Sequence, residues 1–244
     1  MTPSGTLDVL GRLVGASNHT FLVRDDADVT WVYKPVAGEQ PLWDFPDGTL
    51  GRREVAAHKI SEHLGLGIVP LTVWGDGPFG EGSLQQFIHG EVSAVVDLIP
   101  AEDLTEAWLP IASGVGEDRK PVVLVHRDDA RLRSMALFDA LVNNSDRKAG
   151  HIIEADERLY GVDRGVTLHV DDKLRTVLWG FAGEPLSDAE LAVARRASEL
   201  AQPLAEGLDD DEWACLALRA AALCSVGQFP SPSDEWPAIP WPPF

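Results

Sequence analysis

The 244-residue sequence predicts an α+β protein of two lobes, a β-rich lobe followed by a mainly helical one. Three observations carry this reading. Runs of β-branched and aromatic residues separated by turn residues occupy most of positions 6–91. One amphipathic stripe interrupts them between Leu50 and Gly67. Beyond residue 91 the apolar residues recur mainly at helical spacing. The lobes are expected to span residues 1–90 and 91–244.

The elements follow in order. "TLDVLGRLVG", "TFLV" and "VTWVYKP" read as strands, the last two joined across the acidic turn "RDDAD". In "LGRREVAAHKISEHLGLG" Val55, Ala56, Ile60 and Leu64 form one helical face, and Gly65 and Gly67 end it. "IVPLTVWGD" and "GSLQQFIHG" return to strand. A short helix is expected from Ala101, in "AEDLTEAWLP". Asp128 or Asp129 is placed to cap a helix through "ARLRSMALFDALVNN". "HIIEA" and "RLYGVD" are short strands. Helices are expected at Ser187–Glu206, capped by Ser187 or Asp188, and at Asp209–Ala222, which opens with acids where the helix dipole favours them. The end, "FPSPSDEWPAIPWPPF", is too rich in proline for a helix and reads as an extended surface segment.

Composition narrows the functional classes. Hydrophobic residues at 45% and charged residues at 24% describe a globular chain, and the net charge is −19. That charge argues against a nucleic-acid partner or stable attachment to an anionic membrane, both of which need basic surface. No basic and apolar leader opens the sequence, and no apolar run approaches the ~20 residues of a membrane span, so a cytoplasmic protein is expected. Cys215 and Cys224 fall on opposite faces of one helix and are read as free thiols.

A strand-end lysine, an early-helix glutamate and two spaced acids in a helical lobe follow the plan of a kinase. Phosphoryl transfer needs a cation on the phosphates, carboxylates for a metal ion and a group that orients the nucleophile. Lys34 suits the first task and Glu54 would orient it. Asp146 in "NNSDRKAGH" suits the nucleophile, while His151 and Asp163 would face the metal. "VHRDDARLR" imitates a kinase catalytic loop, but Arg133 stands where a metal-binding Asn belongs, so its acids are read as helix caps.

The segments "WVYKPVAGEQPLWDFP", "GRREVAAHKISEHLGLGIVP", "GSLQQFIHG", "NNSDRKAGHII" and "YGVDRGVTLH" occur in an order that resembles phosphatidylinositol 3-/4-kinase-related proteins. They look most like the type II phosphatidylinositol 4-kinases and an actinobacterial family of kinase-like proteins. The resemblance covers roughly residues 10 to 180. It implies a protein-kinase-like fold with ATP and Mg2+ or Mn2+ in the interlobe cleft. Lys34 would contact phosphate with Glu54 as its partner, and Gly15, Ala16, Ser17 and Asn18 would cover the phosphates. Gln85, Gln86, Phe87 and Ile88 would form the hinge that meets adenine. Asp146 would be the catalytic acid and Asp163 a metal ligand. His151 departs from the pattern by standing where the family has Asn.

The function expected is phosphoryl transfer from ATP, or adenylyl transfer on the same scaffold, to a protein or small polar acceptor. The alternatives are a non-catalytic ATP-binding module and a lipid kinase. No palmitoylation-type cysteine cluster or basic amphipathic helix supports the lipid version.

Overall fold

The computed structural model describes residues 2–13, 18–40, 42–46, 48, 50–200 and 203–244. The N-terminal lobe is a five-stranded antiparallel sheet. Its strands β1 (Asp8–Arg12), β2 (Phe21–Arg24), β3 (Thr30–Pro35), β4 (Thr72–Gly77) and β5 (Gly80–Gln86) lie in the order β1-β2-β3-β5-β4. The acidic turn between β2 and β3 is organised by Asp25. Its buried carboxylate accepts from the amides of Ala27 and Val29 and from the indole of Trp31, an Asx-type turn that ties the loop to the sheet.

Along β3 the side chains alternate. Trp31 and Tyr33 are buried in one apolar cluster with Val23 and Leu84, which leaves Lys34 on the opposite face. Lys34 pairs in register with Ser83 of β5. Gly82 permits that close approach, because a Cβ there would lie 2.2 Å from the Lys34 carbonyl oxygen.

Helix α1 (Leu50–His63) packs on β4 and β5. Its Ala56, Ala57 and Ile60 also join the main core, which α2 (Ala130–Val142) runs through. In α2, Leu132 and every residue from Met135 to Val142 are buried, so the helix is covered on every side beyond its first turn. Asp129 caps it, accepting from the Arg131 amide, and Asn143 ends it in the left-handed conformation with φ 53°. Helices α3 (Asp188–Ser198) and α4 (Asp210–Val226) open on capping boxes, Ser187 with Glu190 and Asp209 with Glu212.

The second lobe carries more sheet than its sequence suggests. Strands β6 (Glu91–Val92), β10 (Ile152–Ala155) and β11 (Arg158–Gly161) form one small sheet in the order β11-β10-β6. Strands β7 (Val96–Pro100), β8 (Trp108–Val115) and β9 (Pro121–Arg127) form another, with β9 central. The helix expected from Ala101 is a single 3-10 turn, Ala101–Asp103, that leads into β8. The apolar run Val122–Val125, three valines and Leu124, builds the central strand, and β7 and β8 pair with it. Helix α3 ends at Ser198 rather than Glu206, since Pro203 cannot sit inside a helix. Among the described residues no helix is long and apolar enough to cross a membrane.

Candidate functional site

The site forms where the end of β3, the start of α1 and two loops of the second lobe meet. Lys34 Nζ donates to Glu54 Oε1 and, at 2.9 Å, to Asp163 Oδ1. Glu54 is buried on α1, and its second oxygen accepts from Ser83 Oγ at 3.1 Å. Sheet, helix and the second lobe are therefore joined at one ammonium group. Burial alone would push the Lys34 proton off. The Asp163 and Glu54 carboxylates more than reverse this and hold the ammonium above the ordinary lysine range. Burial raises the Glu54 carboxyl against the pull of Lys34. Asp163 is held well below the usual carboxylate range, by Lys34 above all. Its backbone is left-handed, with φ 55°.

His151 closes a 3-10 turn, Ala149–His151. Its Nδ1 lies 3.0 Å from the Asp146 carbonyl oxygen. A carbonyl only accepts, so Nδ1 carries a proton, and in the neutral ring the lone pair sits on Nε2. Nε2 points at Asp163 Oδ2, 3.6 Å away. Burial lowers the histidine pKa, with Asp163 opposing, and favours the neutral ring. The Asp146 amide donates to Asn144 Oδ1 at 3.1 Å, and its carboxylate lies 3.4 Å from Lys148 Nζ and 3.9 Å from Arg175 Nη2.

Beneath both loops lies a group that the sequence reading did not single out. Asp139, in the last turns of α2, is fully buried between Arg147 and Arg164, which are fully buried too. Arg147 follows Asp146 and Arg164 follows Asp163, so one carboxylate holds the residue next to each acid. Arg147 donates through Nε to Asp139 at 2.8 Å and through Nη1 to the carbonyls of His151 and Val162. Asn144 Nδ2 adds a bond to Asp139 at 3.0 Å. Burial would raise the Asp139 carboxyl, but the two guanidinium groups hold it below its ordinary value. Burial and the Arg147 charge pull Arg164 down to about 10. The readable signal was a lone acid in the apolar helical run "SMALFDALV".

Asn18, Lys34, Glu54, Asp146 and Asp163 line a cavity of about 540 Å3. Gly15, Ala16 and Ser17 lie outside the described residues. Gln85–Ile88 sit at the far end of β5 and do not line this cavity. The Gln85 side chain donates to Thr72 Oγ1 at 2.9 Å, and the Phe87 amide donates to the Thr30 carbonyl. The proline-rich end does more than run along the surface. Ala238 O accepts from Thr176 N and from the Trp179 indole, Pro243 O accepts from Ala149 N, and Trp236 and Pro237 form a wall of the cavity. Among the described residues, no three His, Cys, Asp or Glu side chains converge as a complete metal cage.

Two lobes of this kind, a five-stranded sheet with a helix set on a helical lobe, make a protein-kinase-like fold. The crystal structure of the Golgi casein kinase with Mn/ADP bound superimposes with a TM-score of 0.50 at 14% identity, over 93% of this chain and 73% of that one. The Helicobacter pylori proinflammatory kinase CtkA gives a TM-score of 0.47 at 11% identity, over 94% of this chain and 96% of that one. No family model matches the chain. It is 47% identical over 259 residues to protein Rv2133c of Mycobacterium tuberculosis, covering 98% of this chain and 93% of the relative, and it belongs to the same family as that protein.

Proposed function

We propose that the chain is an ATP-dependent phosphotransferase of the phosphatidylinositol 3-/4-kinase-like type, acting with a divalent metal on a protein or small polar acceptor. The observation that carries this is Lys34, bonded at once to Glu54 of its own lobe and Asp163 of the other, with Asp146 on the same cavity wall. Lys34, oriented by Glu54, would hold the phosphates. Asp146 would align the acceptor hydroxyl and take its proton as the new oxygen–phosphorus bond forms and ADP leaves.

The residues fit a metal. With the ring neutral, His151 Nε2 and Asp163 Oδ2, 3.6 Å apart, would each offer an electron pair, and a cation would relieve that repulsion. The bound ion would offset phosphate charge during transfer.

Nucleotide with metal is expected to stabilise the protein by about 2.7 kcal/mol at 100 times the dissociation constant. Asp163→Asn should abolish the metal-dependent part. Thermal unfolding with and without millimolar ATP and Mg2+ or Mn2+ measures this, and an unmoved transition would refute the reading. γ- and α-labelled ATP separate phosphoryl from adenylyl transfer.

Imidazole is a softer ligand than the Asn of the resembling family, so the wild type should favour Mn2+ over Mg2+. His151→Asn is expected to raise Mg2+-supported binding relative to Mn2+. Parallel titrations of both metals decide this, and an unchanged ratio removes His151 from the ligand set.

A further inference from the structure

We infer that the part of the cavity lined by Trp43, Trp236 and Pro237 is the acceptor subsite and that it takes a sugar ring carrying no negative charge. This rests on the phosphotransferase reading of the same site.

Position comes first. Lys34 lies opposite Ser83, and the segment expected to meet adenine begins two residues farther along β5. The cavity does not extend that way. Its lining includes Trp43, Trp236 and Pro237, and Arg175, 3.9 Å from Asp146 and 5.8 Å from the Trp236 ring centroid, places that aromatic part on the Asp146 side. A group seated there lies beyond Asp146 from the lysine, where the molecule receiving the phosphoryl group belongs.

The aromatic wall is a pair of tryptophans that share one lysine. The Trp43 and Trp236 ring centroids are 6.0 Å apart. Lys173 Nζ lies 4.8 Å from one ring centroid and 5.0 Å from the other. This buried lysine contacts both rings, and Trp43 keeps 79% of its surface open. The negative face of an indole attracts the weakly positive C–H face of a sugar ring.

The polar wall is rich in hydrogen-bond acceptors. The carboxylates of Glu39, Asp44 and Asp146 line it, with one guanidinium, Arg175, whose Nε is already committed to the Ser145 carbonyl at 2.6 Å. Lys173 and Lys148 pair with Asp44 and Asp146 but do not line the cavity. The Gln40 side chain adds a further acceptor and donor. Such a wall suits a ligand studded with hydroxyl donors. A phosphate or carboxylate brings only acceptors and a like charge. The whole cavity, phosphate part included, measures about 540 Å3, in the small-molecule range of roughly 300–1,000 Å3.

The test uses the full chain with D-glucose, D-glucosamine, D-xylose and glucose 6-phosphate as probes, read by saturation-transfer NMR. Labelled ATP and Mn2+ then report transfer. The ring protons of at least one uncharged or amino sugar should show saturable transfer. Trp43→Ala should weaken that binding about tenfold and Trp43→Phe should restore most of it. Trp43 is exposed, so an unchanged melting temperature confirms that Trp43→Ala is folded. Glucose 6-phosphate should show no binding. No binding by any of the three neutral or amino sugars, or no effect of Trp43→Ala, overturns the proposal. Label transferred to an acidic peptide or to phosphatidylinositol vesicles but not to sugars overturns it while leaving the phosphotransferase reading intact. Sugar binding without transfer of label supports the subsite and counts against the reaction.

Discussion

Asp146→Asn is expected to bind nucleotide and metal as the wild type does and to transfer phosphate roughly 10²- to 10⁴-fold more slowly. Asp146 makes no hydrogen bond to Lys34, Glu54 or Asp163, and its carboxylate faces Lys148 and Arg175 instead. Its removal therefore leaves the group that would hold the phosphates untouched. What disappears is the base that aligns the acceptor hydroxyl, an interaction made only on the way to the transition state. The loss should appear in kcat and not in nucleotide affinity. Single-turnover measurement with a matched nucleotide titration separates the two. Equal loss of affinity in Asp146→Asn and Asp163→Asn would show that the roles are misassigned.

The largest loss of stability is expected from Asp139→Asn, about 3–5 kcal/mol, because it leaves two buried guanidinium groups without their counter-charge. Arg164→Met should cost less, since Asp139 keeps Arg147 and Asn144 as partners. Arg164 also has one nitrogen, Nη2, that is buried without a hydrogen-bond partner. Urea unfolding of the two variants measures the order, and an Arg164→Met penalty as large as that of Asp139→Asn would contradict it. The same carboxylate gives a pH dependence of known sign. Its folded-state pKa is depressed, so its contribution is complete above the unfolded value of about 3.9 and is lost as pH falls below it towards the folded value. Asp139→Asn should flatten that acid limb.

Local chemistry made much of this architecture legible. The caps at Asp129 and Ser187 each stood among two candidates in the sequence, and the acids from Asp209 marked a third helix start, because a side chain that bonds its own following amides needs no tertiary context. Lys34, Glu54, Asp146, His151 and Asp163 could be named from spacing against a kinase plan. Their convergence, with Lys34 between Glu54 and Asp163, is a property of the folded chain. Strand β8 was hidden by Pro110 and by the register shift between Pro110 and Ala112, features that an edge strand tolerates and that erase a clean alternation. The Asp139 cluster joins Asp139 to Arg147 and Arg164, 8 and 25 positions on, spacings that no helical or strand period encodes. Trp43 and Trp236 are likewise nearly two hundred positions apart in the sequence and share one wall only after folding.

The left-handed backbone of Asp163 filters what can replace it. With φ at 55°, a side chain with a Cβ strains against its own carbonyl by roughly 1–2 kcal/mol, whereas Gly is free of that cost and Asn and Asp offset part of it through local bonding. Alanine at this position therefore mixes two effects, loss of a carboxylate and distortion of the loop that Arg147 and Arg164 pin down. Asparagine keeps the conformation and removes only the charge, and glycine keeps the conformation and removes the side chain. In a library of all substitutions, the set that accumulates as folded protein at 163 is thus narrower than the exposure of the side chain would suggest.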